Sequence, residues 1–138
     1  MRGALVVRRL GVATGVRTRN CSFHLDERGF VVARVDDGAS MELDDARAAL
    51  DATFQVAGGV RRPVLVDFRG IRAESKAARE YFVSDEAVER YSAVAILIAS
   101  PVSRVIGSFF MRLSRHRVPT RLCSSEADAI DWLLEATR

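Results

Sequence analysis

Four residues near the middle of the chain carry side chains that could take part in chemistry. Asp67 and Arg69 end the apolar run of residues 63–70, and Ser75 and Arg79 follow shortly after it. A serine that starts a helix beside arginines can carry a phosphate, because guanidinium groups and the helix N-terminus both stabilise the added charge. These four residues therefore indicate a phosphorylation site or a small-anion site. The structural alternative is a helix N-cap at Ser75 and an ion pair at Asp67 that fixes the loop.

No catalytic set accompanies these residues in the sequence. A single aspartate without a nearby histidine is weak support for acid–base catalysis. The motifs GxSxG, HExxH, GxxxxGK[ST] and GxGxxG do not occur. The two cysteines, Cys21 and Cys123, lack the spacing of a disulfide framework or a zinc site. We expect a protein that is not an enzyme and that needs no metal or cofactor.

The positive charge of the chain is concentrated at its N-terminus. The formal net charge is +3 over 138 residues, but residues 1–20 contain five arginines and no acid, so the remainder has a small acidic excess. We therefore expect residues 1–20 to be an unstructured basic tail and residues 21–138 to be one domain that does not bind nucleic acid. No stretch approaches the roughly 20 apolar residues that cross a bilayer, which predicts a cytoplasmic protein with no integral membrane segment.

Alternating strands and helices must position the polar residues. The patterns predict a hairpin over 22–35, a helix over 43–57, a strand within 63–70, two short helices over 75–82 and 84–90, a strand over 94–99, a helix over 101–113, a strand over 119–123 and a final helix from 124 or 125. This order predicts the α/β class. We expect a single mixed, mostly parallel five-stranded sheet with helices packed on it, in which the hairpin provides an antiparallel edge.

The predicted helix 101–113 offers a second candidate site. Ser100 precedes it as a cap, Phe109 and Phe110 lie on its apolar face, and Arg104 and Arg112 lie opposite. These residues indicate an interaction surface for a protein partner or for a second copy of the chain. A basic run after the helix is either a solvated helix end or a contact for an acidic partner or for membrane headgroups: Arg112, Arg115, His116, Arg117 and Arg121.

Gly107 is an unfavourable residue inside this predicted helix. It weakens a helix by about 1 kcal/mol relative to Ala. We therefore expect it to allow a close approach to another part of the backbone.

Several segments resemble the STAS-type domains of anti-sigma-factor antagonists and their small bacterial relatives, which are often described as STAS/SEC14-like. They are LVDFRGI (65–71), KAAREYF (76–82), AVAILIASPVSRVIGSFF (93–110) and PTRLCSSEADAIDWL (119–133). The resemblance covers residues 22–138 and implies a STAS-like fold. In the antagonists the helix after the central strand begins with a phosphorylatable Ser or Thr, and the matching residue here is Ser75.

Together these observations predict a non-catalytic STAS-like regulatory module that acts by binding a protein partner or by self-association as a homodimer. The alternative, implied by the likeness to SEC14-like proteins, is a module that binds a small molecule or lipid. A chain of this size leaves little room for a large apolar cavity. An enzyme is the third hypothesis.

Overall fold

A computed structural model of the chain describes residues 6–10 and 13–137. The elements in chain order are β1 (Val6–Leu10), β2 (Ala13–Arg17), β3 (Cys21–Leu25), β4 (Val31–Val35), β5 (Ser40–Met41), α1 (Leu43–Val56), β6 (Arg62–Asp67), β7 (Ala73–Glu74), α2 (Lys76–Phe82), α3 (Asp85–Val88), β8 (Tyr91–Leu97), α4 (Pro101–Ser114), β9 (Thr120–Cys123) and α5 (Glu126–Ala136). The main sheet has the order β1-β2-β3-β4-β6-β8-β9, and β5 pairs separately with β7.

The main sheet combines a parallel part with an antiparallel part. Strands β4, β6, β8 and β9 run parallel to one another, because each connection between them contains a helix that carries the chain back across the sheet. Strands β1 to β4 pair in antiparallel fashion. The predicted α/β class is confirmed, since the five strands expected from the sequence form a mostly parallel sheet with the hairpin on its antiparallel side.

Two strands extend the sheet further than the sequence patterns predict. Strands β1 and β2 lie within residues 1–20, for which the prediction is an unstructured tail, so the sheet has seven strands and not five. Strand β2 pairs with β3, and Val16 is buried in the core. Two arginines of this region bind acids of the domain, Arg17 with Asp36 and Arg19 with Asp45. The other residues of the expected tail, 1–5 and 11–12, lie outside the described residues.

Helices cover the two faces of the sheet unequally. Helices α1 to α4 lie on one face, and α5 lies on the other. Strand β6 serves both faces, because successive side chains of a strand point in opposite directions. Val64 packs in the core under α1 to α4, and Leu65 packs in the core under α5. Asp67, two residues beyond Leu65, therefore points to the face that α5 covers.

Serine N-caps begin four of the helices. Ser75, Ser84, Ser100 and Ser125 each accept a hydrogen bond from a backbone N–H one turn into α2, α3, α4 and α5, respectively. This confirms the caps expected from the sequence and the division of residues 75–90 into two short helices. The side-chain oxygen of such a cap satisfies one of the backbone donors that a helix start leaves free.

Gly107 allows α4 to lie close to the sheet. A Cβ atom at this position would lie 2.9 Å from Cδ2 of Leu122 and 3.0 Å from Cγ2 of Ile98. The expected close approach is confirmed, but the neighbours are side chains of β9 and of the end of β8 and not another backbone. The glycine thus lowers helix propensity in exchange for tight helix–sheet packing.

Gly70 has a stricter requirement for the absence of a side chain. A Cβ atom here would lie 2.9 Å from Cα of Asp37 and closer still to its carboxylate. The two loops are also joined by a hydrogen bond of 2.7 Å from the Gly38 N–H to the Gly70 carbonyl. This arrangement fixes the turn after β4 against the loop that leaves β6.

We expect Gly70→Ala to lower the free energy of unfolding by about 1–3 kcal/mol, because the backbone at Asp37 has to move away. Urea unfolding of the purified domain measures the change. The double variant Gly70→Ala, Asp37→Gly should recover only part of the loss, since it removes the carboxylate but leaves the crowded backbone of residue 37 in place. An unchanged midpoint in Gly70→Ala would show that the two loops do not depend on each other.

Candidate functional site

A charged cluster lies at the carboxyl ends of β4 and β6, where the sequence patterns predict a site. Asp67 accepts hydrogen bonds from Nε of Arg69 at 2.9 Å, from Nη2 of Arg69 at 2.8 Å and from Nη1 of Arg34 at 2.7 Å. Arg34 also donates to Glu126, at 3.1 Å, in the first turn of α5. The cluster therefore connects two strands to the helix on the far face of the sheet.

The electrostatics of this cluster indicate a structural role. Burial disfavours the charged form of Asp67, but the hydrogen bonds from the Arg69 side chain and backbone outweigh it and hold the pKa of Asp67 below its usual value. The pKa of Arg69 is raised in return, mainly by its hydrogen bond to Asp67. Two guanidinium groups meet two carboxylates, so the cluster is neutral and its central carboxylate is fully engaged. This is the ion-pair alternative that the sequence left open.

Sequence reasoning missed two members of the cluster, Arg34 and Glu126. Their contact depends on the pairing of Arg34 with Asp67 across β4 and β6 and on the position of α5. In the sequence, Glu126 is recognisable only as an acid at the start of a helix, and Arg34 only as a charged residue on an otherwise apolar strand. Neither pattern identifies the residue to which it binds.

Ser75 and Arg79 do not join Asp67 and Arg69. The Ser75 hydroxyl accepts a hydrogen bond of 3.1 Å from the Ala78 N–H, and its own N–H donates to the Met41 carbonyl at 2.9 Å. The Arg79 guanidinium lies 4.8 Å from the centre of the Phe109 ring. Within residues 15–137 no hydrogen bond or ion pair links the Ser75 side chain to Arg69 or to Arg79. The four predicted residues thus belong to two separate places, and phosphorylation of Ser75 stays a prediction.

The predicted interaction residues of α4 divide into an outer and an inner group. Ser100 caps the helix in a reciprocal pair with Ser103, and Arg104 and Arg112 are exposed. Phe109 is half-buried on the outside beneath Arg79 and Arg112, whereas Phe110 faces inward and lines a cavity. Phe109 and Phe110 therefore cannot serve the same surface.

An apolar stripe remains open to solvent on the outer side of α4. Val102, Val105 and Leu113 are 43%, 69% and 42% exposed, respectively, and their helical spacing places them on one side together with Phe109. We call these four residues the α4 stripe. Isolated apolar residues on a surface are ordinary, whereas contiguous apolar patches are a common feature of interaction sites.

Nothing in the described part of the chain forms a metal-binding cluster of three or more His, Cys, Asp or Glu residues. Both cysteines are buried and unpaired, and burial raises the pKa of Cys21 to about 12. Such a thiol is not a nucleophile near neutral pH. Among the described residues, no helix has both the length and the apolar character needed to cross a membrane.

A family model described as a domain of unknown function (DUF7793) matches residues 23–137. The chain belongs to the DUF7793 family. The match covers almost all of the chain outside β1 and β2.

The DUF7793 domain also resembles a solved structure. It is an uncharacterised protein of the DUF3478 family from Shewanella loihica PV-4, described as having a SpoIIAA-like fold. The two are 14% identical, with a TM-score of 0.55 over 96% of this chain and 94% of the other. At this identity the likeness supports the STAS-like fold alone. No curated protein matches the chain.

Glu74 is a further polar residue of this DUF7793 domain, and its carboxyl group is partly buried. It ends β7, directly before Ser75, and pairs with Met41 of β5. Burial raises the pKa of Glu74 to about 7, and the positive charge of Arg79 opposes the shift only in part. Sequence patterns do not indicate this, since a glutamate between a loop and a helix is normally solvated.

We expect Asp67→Asn to lower the free energy of unfolding by about 1–3 kcal/mol at pH 7, because it leaves Arg34 and Arg69 without their shared carboxylate. The pKa of Asp67 is depressed in the folded domain, so its contribution is present above about pH 4 and is lost as the pH falls through the folded pKa. Urea unfolding at several pH values should therefore show the two curves converging in acid.

Asp26→Asn is the matched control for this change. Asp26 binds Nε and Nη2 of Arg28 in the same arrangement, but in an exposed turn. Such surface pairs contribute roughly 0–1 kcal/mol. Equal losses from the two variants would contradict a special role for the buried carboxylate of Asp67.

We expect Glu74→Gln to be more stable than the wild type at pH 8 by about 1–2 kcal/mol, and equal to it near pH 4. A folded-state pKa of about 7 means that the wild type loses stability as the pH rises and the buried carboxyl group ionises. Thermal unfolding between pH 4 and pH 8 measures the difference. Glu80→Gln, at an exposed position of α2, is the matched control for loss of a carboxylate, and an equal gain in stability there would contradict this reasoning.

Proposed function

We propose that this DUF7793 domain is a non-catalytic protein-interaction module that binds an acidic amphipathic helix of another protein through the α4 stripe. The exposure of this stripe is the observation on which the proposal depends. Val105 is the most exposed large apolar residue of the described chain, at 69%, and it lies between Val102 and Phe109. Such a row is the contact that an amphipathic helix makes when it packs along a groove.

The charge around the stripe favours an acidic partner. The sequence contains no Asp or Glu between Glu89 and Glu126. Arg104 and Arg112 are exposed on α4, and Arg115 ends it. Opposite charges at the rim of an interface accelerate association and select the partner.

The same charge disfavours self-association through α4. Two copies packed by their α4 stripes would bring the arginines of one helix towards those of the other, and α4 itself contains no carboxylate to compensate them. Like charges placed together across an interface cost several kcal/mol. The homodimer therefore ranks below the acidic partner.

The charged cluster supports a binding role over a catalytic one. Asp67 is occupied by Arg34 and Arg69, and Ser75 is occupied as a helix cap. The Asp67 carboxylate is therefore not free to act as a base in this arrangement. Its contacts instead join the ends of β4 and β6.

The test compares Val105→Glu with Val60→Glu in affinity capture from cell extracts. Val60 is 49% exposed and lies in the turn before β6, so its replacement adds the same charge away from α4. We expect a captured protein to be retained by the wild type and by Val60→Glu, to be lost at least tenfold with Val105→Glu, and to be released by salt. A tenfold loss corresponds to about 1.4 kcal/mol.

Two results would overturn the proposal. One is equal retention by both variants, which would place the contact outside the α4 stripe. The other is a dimer in light scattering that Val105→Glu converts to a monomer, which would make a second copy the partner.

A further inference from the structure

An apolar cavity of about 60 Å³ lies between the sheet and the helices of the four-helix face. Side chains of β4, β6 and β8 form its floor, including Ala33, Val66 and Ile96. Leu50 of α1, Phe82 of α2 and Phe110 of α4 also line it, and Phe82 and Phe110 are only partly buried. The cavity is on the opposite face of the sheet from the charged cluster, and it does not depend on the α4 stripe.

The cavity results from the way the helices divide the sheet. Helix α1 packs against β2, β3 and β4, while Gly107 seats α4 on β8 and β9. The middle strand β6 lies between these two footprints. Val66 pairs with Ala33 on one side and with Ile96 on the other, yet it is only half-buried. A residue at the centre of a sheet is normally covered, so this exposure marks a gap in the helical layer.

The polar groups around the cavity are already satisfied. The Thr53 hydroxyl donates to the Ala49 carbonyl at 2.8 Å, and the Tyr91 hydroxyl donates to the Phe82 carbonyl at 2.8 Å. The Cys21 thiol lies 3.5 Å from Oδ1 of Asn20. A buried water needs two to four polar partners, and the lining of this cavity is almost entirely apolar. The space therefore suits an apolar group better than water.

Size decides which apolar group fits. A cavity that binds benzene measures roughly 150 Å³, more than twice the volume here, so a ring is too large. The end of an alkyl chain is narrow enough, and its remaining carbons can leave between Phe82 and Phe110, which are both partly buried. A side chain of a protein docked on the outside of the helices is too short to reach the cavity. It would have to extend past helices that are about 10–12 Å across.

We infer that this cavity is a binding site for the end of an unbranched alkyl chain, which enters between Phe82 and Phe110 and contacts Val66. The site holds the terminal carbon atoms of the chain by apolar contact. It provides no polar group for orientation. A complete lipid does not fit inside, which agrees with the limited size of the domain.

The test is a titration of the full chain with 1-hexanol, followed by NMR of methyl groups. We expect saturable shifts at methyls that line the cavity, Leu50, Val64 and Val66. Methyls in the core under α5, at Leu65, Leu97 and Leu133, should not move. Cyclohexanol has the same number of carbon atoms in a ring and should bind at least tenfold more weakly.

Ala33→Ile fills the cavity with three further carbon atoms, and β-branched residues suit a strand. It should weaken binding of 1-hexanol at least tenfold. Val32→Ile is the matched control, because Val32 is the adjacent residue of β4 and packs on the opposite face. It should bind like the wild type.

The inference is wrong if 1-hexanol gives no saturable shifts, if the shifts also spread to the core under α5, or if Ala33→Ile binds like Val32→Ile. The distribution of shifts in the wild type requires no variant, so the test holds even if Ala33→Ile does not fold.

Discussion

The structure depends on the burial of strand β6 on both faces. Val64 points to the core under α1 to α4, and Leu65 points to the core under α5. Where such a strand ends, its polar side chains need partners. Asp67 binds Arg34 and Arg69, and Arg34 in turn binds Glu126. The neutral cluster thus connects the end of the strand to the helix that covers its second face. We regard it as part of the fold and not as a reacting centre.

Local chemistry makes most of the elements predictable. A serine directly before a helical pattern predicts an N-cap, because its side chain can accept a hydrogen bond from the first turn. The structure confirms this for Ser75, Ser84 and Ser100. The apolar runs at β6 and β8 likewise identify themselves as buried strands by composition alone. Gly107 indicates a close approach, although the nature of its neighbours becomes clear only from the sheet.

Features that depend on distant pairing could not be predicted in the same way. Arg34 and Glu126 are far apart in sequence, and only the register of β4 on β6 and the position of α5 bring them together. Proximity in sequence groups Arg79 with Asp67, but Arg79 lies over Phe109 of another helix. The arginines near the N-terminus resemble a charged tail as long as their partners are unknown, since Asp36 and Asp45 lie in later parts of the chain.

The pairing of β2 has a practical consequence for how the domain is handled. The family match begins at residue 23, which suggests that a shortened protein starting near there would be complete. Such a truncation would remove β2 and the start of β3, and with them Val16, which pairs with Phe23, and Arg19, which binds Asp45. An uncovered apolar edge strand recruits strands from other molecules. We therefore expect the shortened protein to aggregate through β3, the strand that otherwise pairs with β2.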